Sequence, residues 1–101
     1  MSAYRRMPAG LGKSGAALWR SMLADLPQGF EFSAGELAVL EAACRQADLN
    51  GELGALLERD GLLVTGSQGQ VRLAGAVTEL RQGRLALERL LASVRVWGGG
   101  V

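Results

Sequence analysis

The chain has 101 residues, of which 49% are hydrophobic and 5% aromatic, enough for one small domain built mainly on leucine and alanine. It has no histidine and one cysteine, so the commonest general base, the commonest metal ligand and an internal disulfide are excluded. The net charge of +1 divides into +4 over residues 1–24, −6 over 25–60 and +3 over 61–101. This segregation favours a polyanion contact or packing between copies, although ordinary solvated helix faces would also explain it.

Residues 1–10 predict a flexible basic arm, because Pro8 and Gly10 interrupt a segment that has no apolar periodicity. A first helix is expected from about Lys13 to Leu26, where Pro27 stops it. The segment that leads into this helix, residues 10–15, has the glycine spacing of a dinucleotide-binding loop. It also contains Gly-Lys-Ser, the sequence at the end of a phosphate-binding loop. Both loops require a preceding buried strand, which residues 1–9 cannot form, so we favour a flexible segment that leads into the helix and binds no nucleotide. The free N–H groups at this helix start could still contact a DNA phosphate beside Lys13.

The second helix has the clearest start, with Ser33 as N-cap and Glu36 completing a capping box. Its apolar spacing continues onto Gly51 and Gly54, which leaves two alternatives. The helix either breaks at Asn50-Gly51 or runs on to Asp60 with glycines on its packed face. We favour the long helix, with a kink near Asn50 as a variant, and Gly61 as its left-handed cap.

The N-terminal arm and the first two helices also contain residues for which the sequence predicts a particular role. Phe32 and Leu37 flank the cap of the second helix as a hydrophobic staple. Cys44 lies in an apolar helical stretch, which favours a buried structural thiol over a nucleophile. The best candidates for contact with a polyanion are cations of the arm, the first helix and the second helix: Arg5, Arg6, Lys13, Arg20 and Arg45.

Two β-prone runs, residues 62–65 and 70–73, flank a turn-rich tetrad and predict a short hairpin or loop. A last helix is expected from about Ala74 to Val94, with a heptad-like apolar seam interrupted by Arg84. The seam either packs on the second helix or lines an interface between copies. The candidates for oligomerisation are seam positions together with the helix glycines: Val77, Leu80, Leu87, Leu91, Gly51 and Gly54.

The whole pattern predicts an all-α fold with a single helical domain over residues 11–96 and a flexible tail over 97–101. Neither a targeting segment nor a run long enough to span a bilayer is visible, so we expect an intracellular protein without membrane contact. No catalytic constellation, metal site or cofactor motif is predicted, and we expect no enzymatic activity.

Four segments resemble the terminase small subunits of tailed double-stranded-DNA phages and prophages. The sequence Leu-Gly-Lys-x-Gly-x-x-Leu-Trp at 11–19 is similar to that family's opening, and Glu-Leu-Ala-x-Leu-Glu-Ala-x-Cys at 36–44 to its next helix. Residues 61–72 resemble its central loop, the most distinctive piece, and 87–91 its leucine-rich last helix. The loop positions that carry the likeness are Thr65, Gly66, Ser67, Gly69, Gln70 and Arg72.

The chain also departs from the family pattern. Ala74-Gly75 stands where His-Pro is usual, and Gln68 where lysine is common, so any role of that histidine or lysine does not carry over. Asn50-Gly51 interrupts a helix that is usually continuous.

The resemblance implies a viral DNA-packaging protein in the host cytoplasm, which binds double-stranded viral DNA and assembles as a homo-oligomeric ring. It also implies that the chain recruits and regulates the terminase large subunit, which holds the ATPase and nuclease. Two other classes stay open: a small helix-turn-helix transcription regulator, and a phage structural adaptor without a DNA role.

Overall fold

The fold is known from a computed structural model, which describes residues 6–65 and 71–99. Over those ranges the element order is α1 (Lys13–Ala24), α2 (Ala34–Asp60), β1 (Leu63–Thr65), β2 (Val71–Leu73) and α3 (Gly75–Gly99). The prediction of an all-α architecture is confirmed, because three helices make up the body of the described chain.

Helix α1 begins at the predicted Lys13 but ends at Ala24, two residues before the predicted end. Pro27 disfavours helical backbone at the residue before it, so Leu26 cannot extend α1. Instead, the N–H of Leu26 donates to the carbonyl of Leu23 across 3.3 Å, which closes a tighter turn.

Helix α2 begins where the sequence predicts it. The Ser33 hydroxyl accepts from the N–H of Glu36 across 3.1 Å, and the Glu36 carboxylate accepts from the N–H of Ser33 across 2.7 Å. The capping box is therefore confirmed. Phe32, just before the cap, is 4% exposed and belongs to the same apolar cluster as Leu37, consistent with a staple.

Helix α2 is continuous over 27 residues, so the alternative of a break at Asn50-Gly51 is wrong. Gly51 and Gly54 lower the helix propensity of this segment, but they do not interrupt the backbone hydrogen bonds of a helix that packs on its neighbours. Gly61 ends the helix at φ +85° and ψ 169°. The positive φ agrees with the predicted glycine cap, but the ψ value lies outside the left-handed helical region, in backbone space that essentially only glycine uses.

The segment after α2 is a short antiparallel ribbon in which Leu63 pairs with Leu73 and Thr65 with Val71. The family-loop residues Gly66, Ser67, Gly69 and Gln70 lie outside the described residues, as does the side chain of Arg72. A two-stranded ribbon is marginal by itself, so it depends on the helices that it joins.

Helix α3 runs to Gly99, five residues beyond the predicted end at Val94, and so includes most of the predicted tail. Gly98 and Gly99 favour a flexible tail in the sequence, but the structure includes both of them in α3. Each glycine costs about 1 kcal/mol of helix propensity, but unlike proline it does not block the hydrogen bond that extends a helix.

Helices α1 and α3 both pack on α2, and the core lies where the three meet. Its buried members are Trp19, Met22, Phe32, Leu40, Cys44 and Val94. The molecule extends 60 × 27 × 17 Å, so much of α2 and α3 forms an elongated hairpin. Toward the ribbon this hairpin is thinly packed, since Leu80 is the sole buried hydrophobic side chain that the described residues place there.

Candidate nucleic-acid interface

The outward face of α1 is cationic. Lys13, Ala17, Arg20 and Ala24 follow a 4-3-4 spacing that places them on one side of the helix, and all four are exposed. The opposite side is buried through Gly15, Trp19 and Met22, so the core fixes which face α1 presents. Because α1 contains no acidic residue, this face carries two cations beside small alanine side chains.

The cations of α1 make no ion pair within the described part of the chain. The two ion pairs found there are Arg45 with Glu41 and Arg59 with Asp60. Lys13 and Arg20 therefore carry charge that no carboxylate within 4 Å neutralises, which leaves both side chains available to an external anion.

Arg6 is exposed and lines an open groove of about 430 Å³ beside Trp19 and Glu41. The segment that carries it was expected to be a flexible arm, but Met7 packs against the hydrophobic core. An apolar contact therefore joins Met7 to the helical body, which the charge and proline content of the segment did not predict. Arg5 lies outside the described residues.

The start of α1 is held by a carboxylate from α2. One oxygen of Asp48, Oδ2, accepts from the N–H of Gly12, and the other, Oδ1, from the N–H of Gly15, each across 2.7 Å. These N–H groups belong to the cap and first turn of α1, which have no partner inside the helix. A negative charge at this position also complements the positive end of the helix dipole.

This contact explains the glycine spacing at 10–15. A Cβ atom on Gly15 would lie 2.6 Å from the backbone oxygen of Cys44, and one on Gly12 would lie 2.9 Å from Oδ1 of Asp48. Only glycine allows α1 to approach α2 so closely. The expectation that these N–H groups are free to contact a DNA phosphate is therefore wrong for Gly12 and Gly15.

Arg45 was predicted to contact DNA, but the structure shows it bound within the chain. Its guanidinium pairs with Glu41 at 2.7 Å, one helical turn away, and donates to the carbonyl of Ala9 across 3.3 Å. These bonds fasten segment 6–10 to α2. Arg45 therefore serves the arrangement of the N-terminal part, which the sequence could not show because Ala9 is distant along the chain.

Most of the predicted oligomerisation seam faces its own α2. Leu80 is 8% exposed, Leu91 packs against the core, and Val77 and Leu87 are half-buried. The helix glycines differ from each other. A Cβ on Gly51 would lie 3.0 Å from Oγ of Ser14, so the absence of a side chain at Gly51 leaves space for α1 to pack there. A Cβ on Gly54 would meet nothing within 4 Å.

Other apolar side chains are more exposed than the seam. Leu49 on α2 is 45% exposed, Leu85 on α3 is 53% exposed, and Leu62 and Leu63 beside the ribbon are 57% and 58% exposed. Leu49 and Leu85 fall outside the regular apolar stripe of each helix; the sequence predicts Leu85 as a widening of the apolar face of α3, but the structure leaves it exposed. Scattered exposed leucines are common, but two on the paired long helices of so small a chain mark candidate contacts with another molecule.

The Cys44 thiol is fully buried, which confirms the prediction of a structural cysteine. Burial is the largest cause that raises its pKa to about 11; the negative charges of Asp48 and Glu41 contribute in the same direction and outweigh the opposite effect of Arg45. The thiol is thus protonated near neutral pH and shielded from reagents.

Within the described ranges, no three side chains of the types that bind metals converge on one point, and every helix is too short or too polar to serve as a membrane span. No family model, curated protein or solved structure matches the chain.

Proposed function

We propose that this chain is the small subunit of a viral DNA-packaging terminase, which binds double-stranded viral DNA and recruits and regulates the large ATPase and nuclease subunit. The observation that carries the DNA-binding part is the face of α1, where Lys13 and Arg20 are exposed and form no ion pair with any carboxylate of residues 6–65 and 71–99. The link to packaging rests on the likeness of residues 11–19, 36–44, 61–72 and 87–91 to that family. The proposal assigns no reaction to the chain itself.

The α1 face suits the sugar–phosphate backbone of a duplex. An arginine guanidinium can donate two parallel hydrogen bonds to one phosphate, and a lysine ammonium supplies a compact point charge. The small side chains of Ala17 and Ala24 leave room for the backbone to approach. Contacts of this kind position a protein on DNA without reading its sequence, so the expected binding is strongly dependent on salt.

Self-association is the second part of the proposal, and exposed leucines with complementary charges support it. Helix α2 carries six acidic and two basic residues, a net −4, whereas α3 carries four basic and two acidic residues, a net +2. Contact between α2 of one copy and α3 of the next would cover Leu49 and Leu85 and oppose these charges. Head-to-tail contacts of this type close into rings when the rotation allows.

A helix-turn-helix regulator is less well supported. Helices α1 and α2 are joined by residues 25–33, which is longer than the three or four residues usual between the helices of that motif. In addition, the start of α2 is occupied by the capping box and the core cluster, where a recognition helix would need base-reading side chains.

Binding of a fluorescent duplex across a salt series tests the proposal. We expect Arg20→Ala to weaken binding and to reduce the slope of log K against log salt by about 0.9, the effect of one lost phosphate contact. Arg59→Ala is the matched control, because Arg59 is exposed on α2 and paired with Asp60. An equal loss in both variants, or no binding by the wild type at low salt, would contradict the role of α1.

The packaging assignment needs a separate test, since many proteins bind duplex DNA. When this chain and a duplex are mixed with a terminase large subunit from the same genome, we expect the large subunit to co-elute with the chain. We also expect the chain to change the rate at which the large subunit hydrolyses ATP. DNA binding without any effect on the large subunit would favour a regulator, and oligomers without DNA binding would favour a structural adaptor.

A further inference from the structure

In the described part of the chain, the hydrogen bonds between α2 and the start of α1 are made by one side chain of α2, Asp48. Both of its carboxylate oxygens are engaged at 2.7 Å. Arg45, one turn earlier, reaches the preceding segment at Ala9 and not the helix itself.

We propose that Asp48 is a positioning residue for DNA binding: it holds the start of α1, and with it Lys13, against α2, while the buried Trp19 and Met22 set which face of the helix is outward. The inference rests on the proposed function, because it assigns a role in the contact between that face and DNA. Asp48 itself touches no DNA in this account.

The close approach of the two helices shows why the position of α1 depends on this carboxylate. At Gly12 and Gly15 the backbone of α1 lies so near α2 that no side chain fits between them, and Ser14 lies against Gly51. This part of the interface therefore offers little apolar area from its own side chains. The two charge-assisted hydrogen bonds of Asp48 supply the attraction there.

The charge of Asp48 also offsets an unfavourable arrangement at the start of α1. Lys13 places a cation at the positive end of the helix dipole, where a cation is destabilising. The adjacent carboxylate compensates for both positive charges. Lys13 can then point outward as a phosphate ligand on a helix that remains capped.

A substitution of Asp48 should consequently act on DNA binding through the fraction of molecules in which α1 is docked. In Asp48→Asn, one acceptor oxygen is replaced by an NH₂ donor that faces the N–H of Gly12 or Gly15. If the docked fraction falls to about one tenth, the apparent Kd for the duplex rises about tenfold. Removal of a negative charge has the opposite effect by long-range electrostatics, because DNA is a polyanion.

Glu52→Gln is a matched control that separates the two effects. Glu52 lies one turn after Asp48 on α2, and the two side chains line one open cleft beside Lys13. Glu52 is exposed and makes no hydrogen bond or ion pair in the described part of the chain. Both substitutions remove one negative charge from the same surface. A pure charge effect therefore predicts tighter duplex binding by both variants.

The experiment measures duplex affinity and hydrogen exchange of α1 for both variants. We expect Asp48→Asn to bind about tenfold more weakly, with faster amide exchange over residues 12–24, and Glu52→Gln to bind more tightly with exchange unchanged. Tighter binding by Asp48→Asn with α1 still protected would overturn the inference. If the wild type binds no duplex, the proposed function and the DNA role of Asp48 both fail, while exchange still decides whether Asp48 docks α1.

Discussion

At the scale of single residues, the arrangement at the start of α1 depends on pairs that are distant in sequence. The glycine spacing at 10–15 is visible in the sequence, but its cause is Asp48, which is 33 and 36 residues away from its two N–H partners. No local pattern links them, so the same glycines could be interpreted only as a flexible approach. The burial of Cys44, by contrast, follows from its apolar helical neighbours and was predictable.

Gly15→Ala tests the close approach of α1 and α2. Alanine favours a helix over glycine by about 1 kcal/mol, so propensity alone predicts a gain in stability. The added Cβ would lie 2.6 Å from the backbone oxygen of Cys44, and overpacking of this kind costs about 1–3 kcal/mol. We expect the free energy of unfolding in a denaturant titration to fall, and an increase would contradict the observed contact.

Cys44 should make stability dependent on pH in the alkaline range. The pKa of the thiol is raised in the folded state from 9.0 to about 11, so the unfolded chain loses its proton first as pH rises. The contribution of the thiol is complete below pH 9.0 and is lost as pH rises toward 11.

The comparison variant for this effect is Cys44→Ala. The fall in melting temperature between pH 9 and 11 should be steeper for the wild type than for Cys44→Ala, which lacks the titrating group. Parallel profiles would show that Cys44 is not buried as described.

At the scale of elements, local signals set the helix starts, and tertiary packing sets the rest. The capping box of Ser33 and Glu36 lies within four residues, and α2 begins where it predicts. The continuity of α2 through Gly51 could not be decided from sequence, since it depends on contact with Ser14 and on the packing of α3. The late end of α3 was missed because glycine weakens a helix without stopping it.

Gly54→Ala should stabilise the protein, because the new Cβ meets nothing within 4 Å and alanine favours the helix by about 1 kcal/mol. Gly83→Ala is the contrasting variant: its Cβ would collide with the side chain of Asn50, so that variant should be less stable. Thermal denaturation of both variants measures the difference. A destabilised Gly54→Ala with a smaller assembly would place Gly54 at a contact between copies, as the sequence predicted.

At the scale of the whole molecule, the fold leaves apolar side chains on its long hairpin that one copy does not cover. Leu85 is 53% exposed and is flanked on α3 by Arg81 and Arg89, while Leu49 on α2 has Glu52 one turn away. The sequence predicted self-association from its leucine seams, but the seam is largely used inside the chain. We propose the exposed leucines outside that seam as the surface for self-association, and only the packed structure separates the two sets of leucines.

Native mass spectrometry of the chain with a short duplex measures self-association and DNA binding in one experiment. We expect species at multiples of 10.6 kDa that carry the duplex. We also expect smaller assemblies for Leu85→Glu than for Gln82→Glu, which adds the same charge at an exposed polar position of α3. A single species of 10.6 kDa at micromolar concentration, without bound duplex at low salt, would contradict the proposed function.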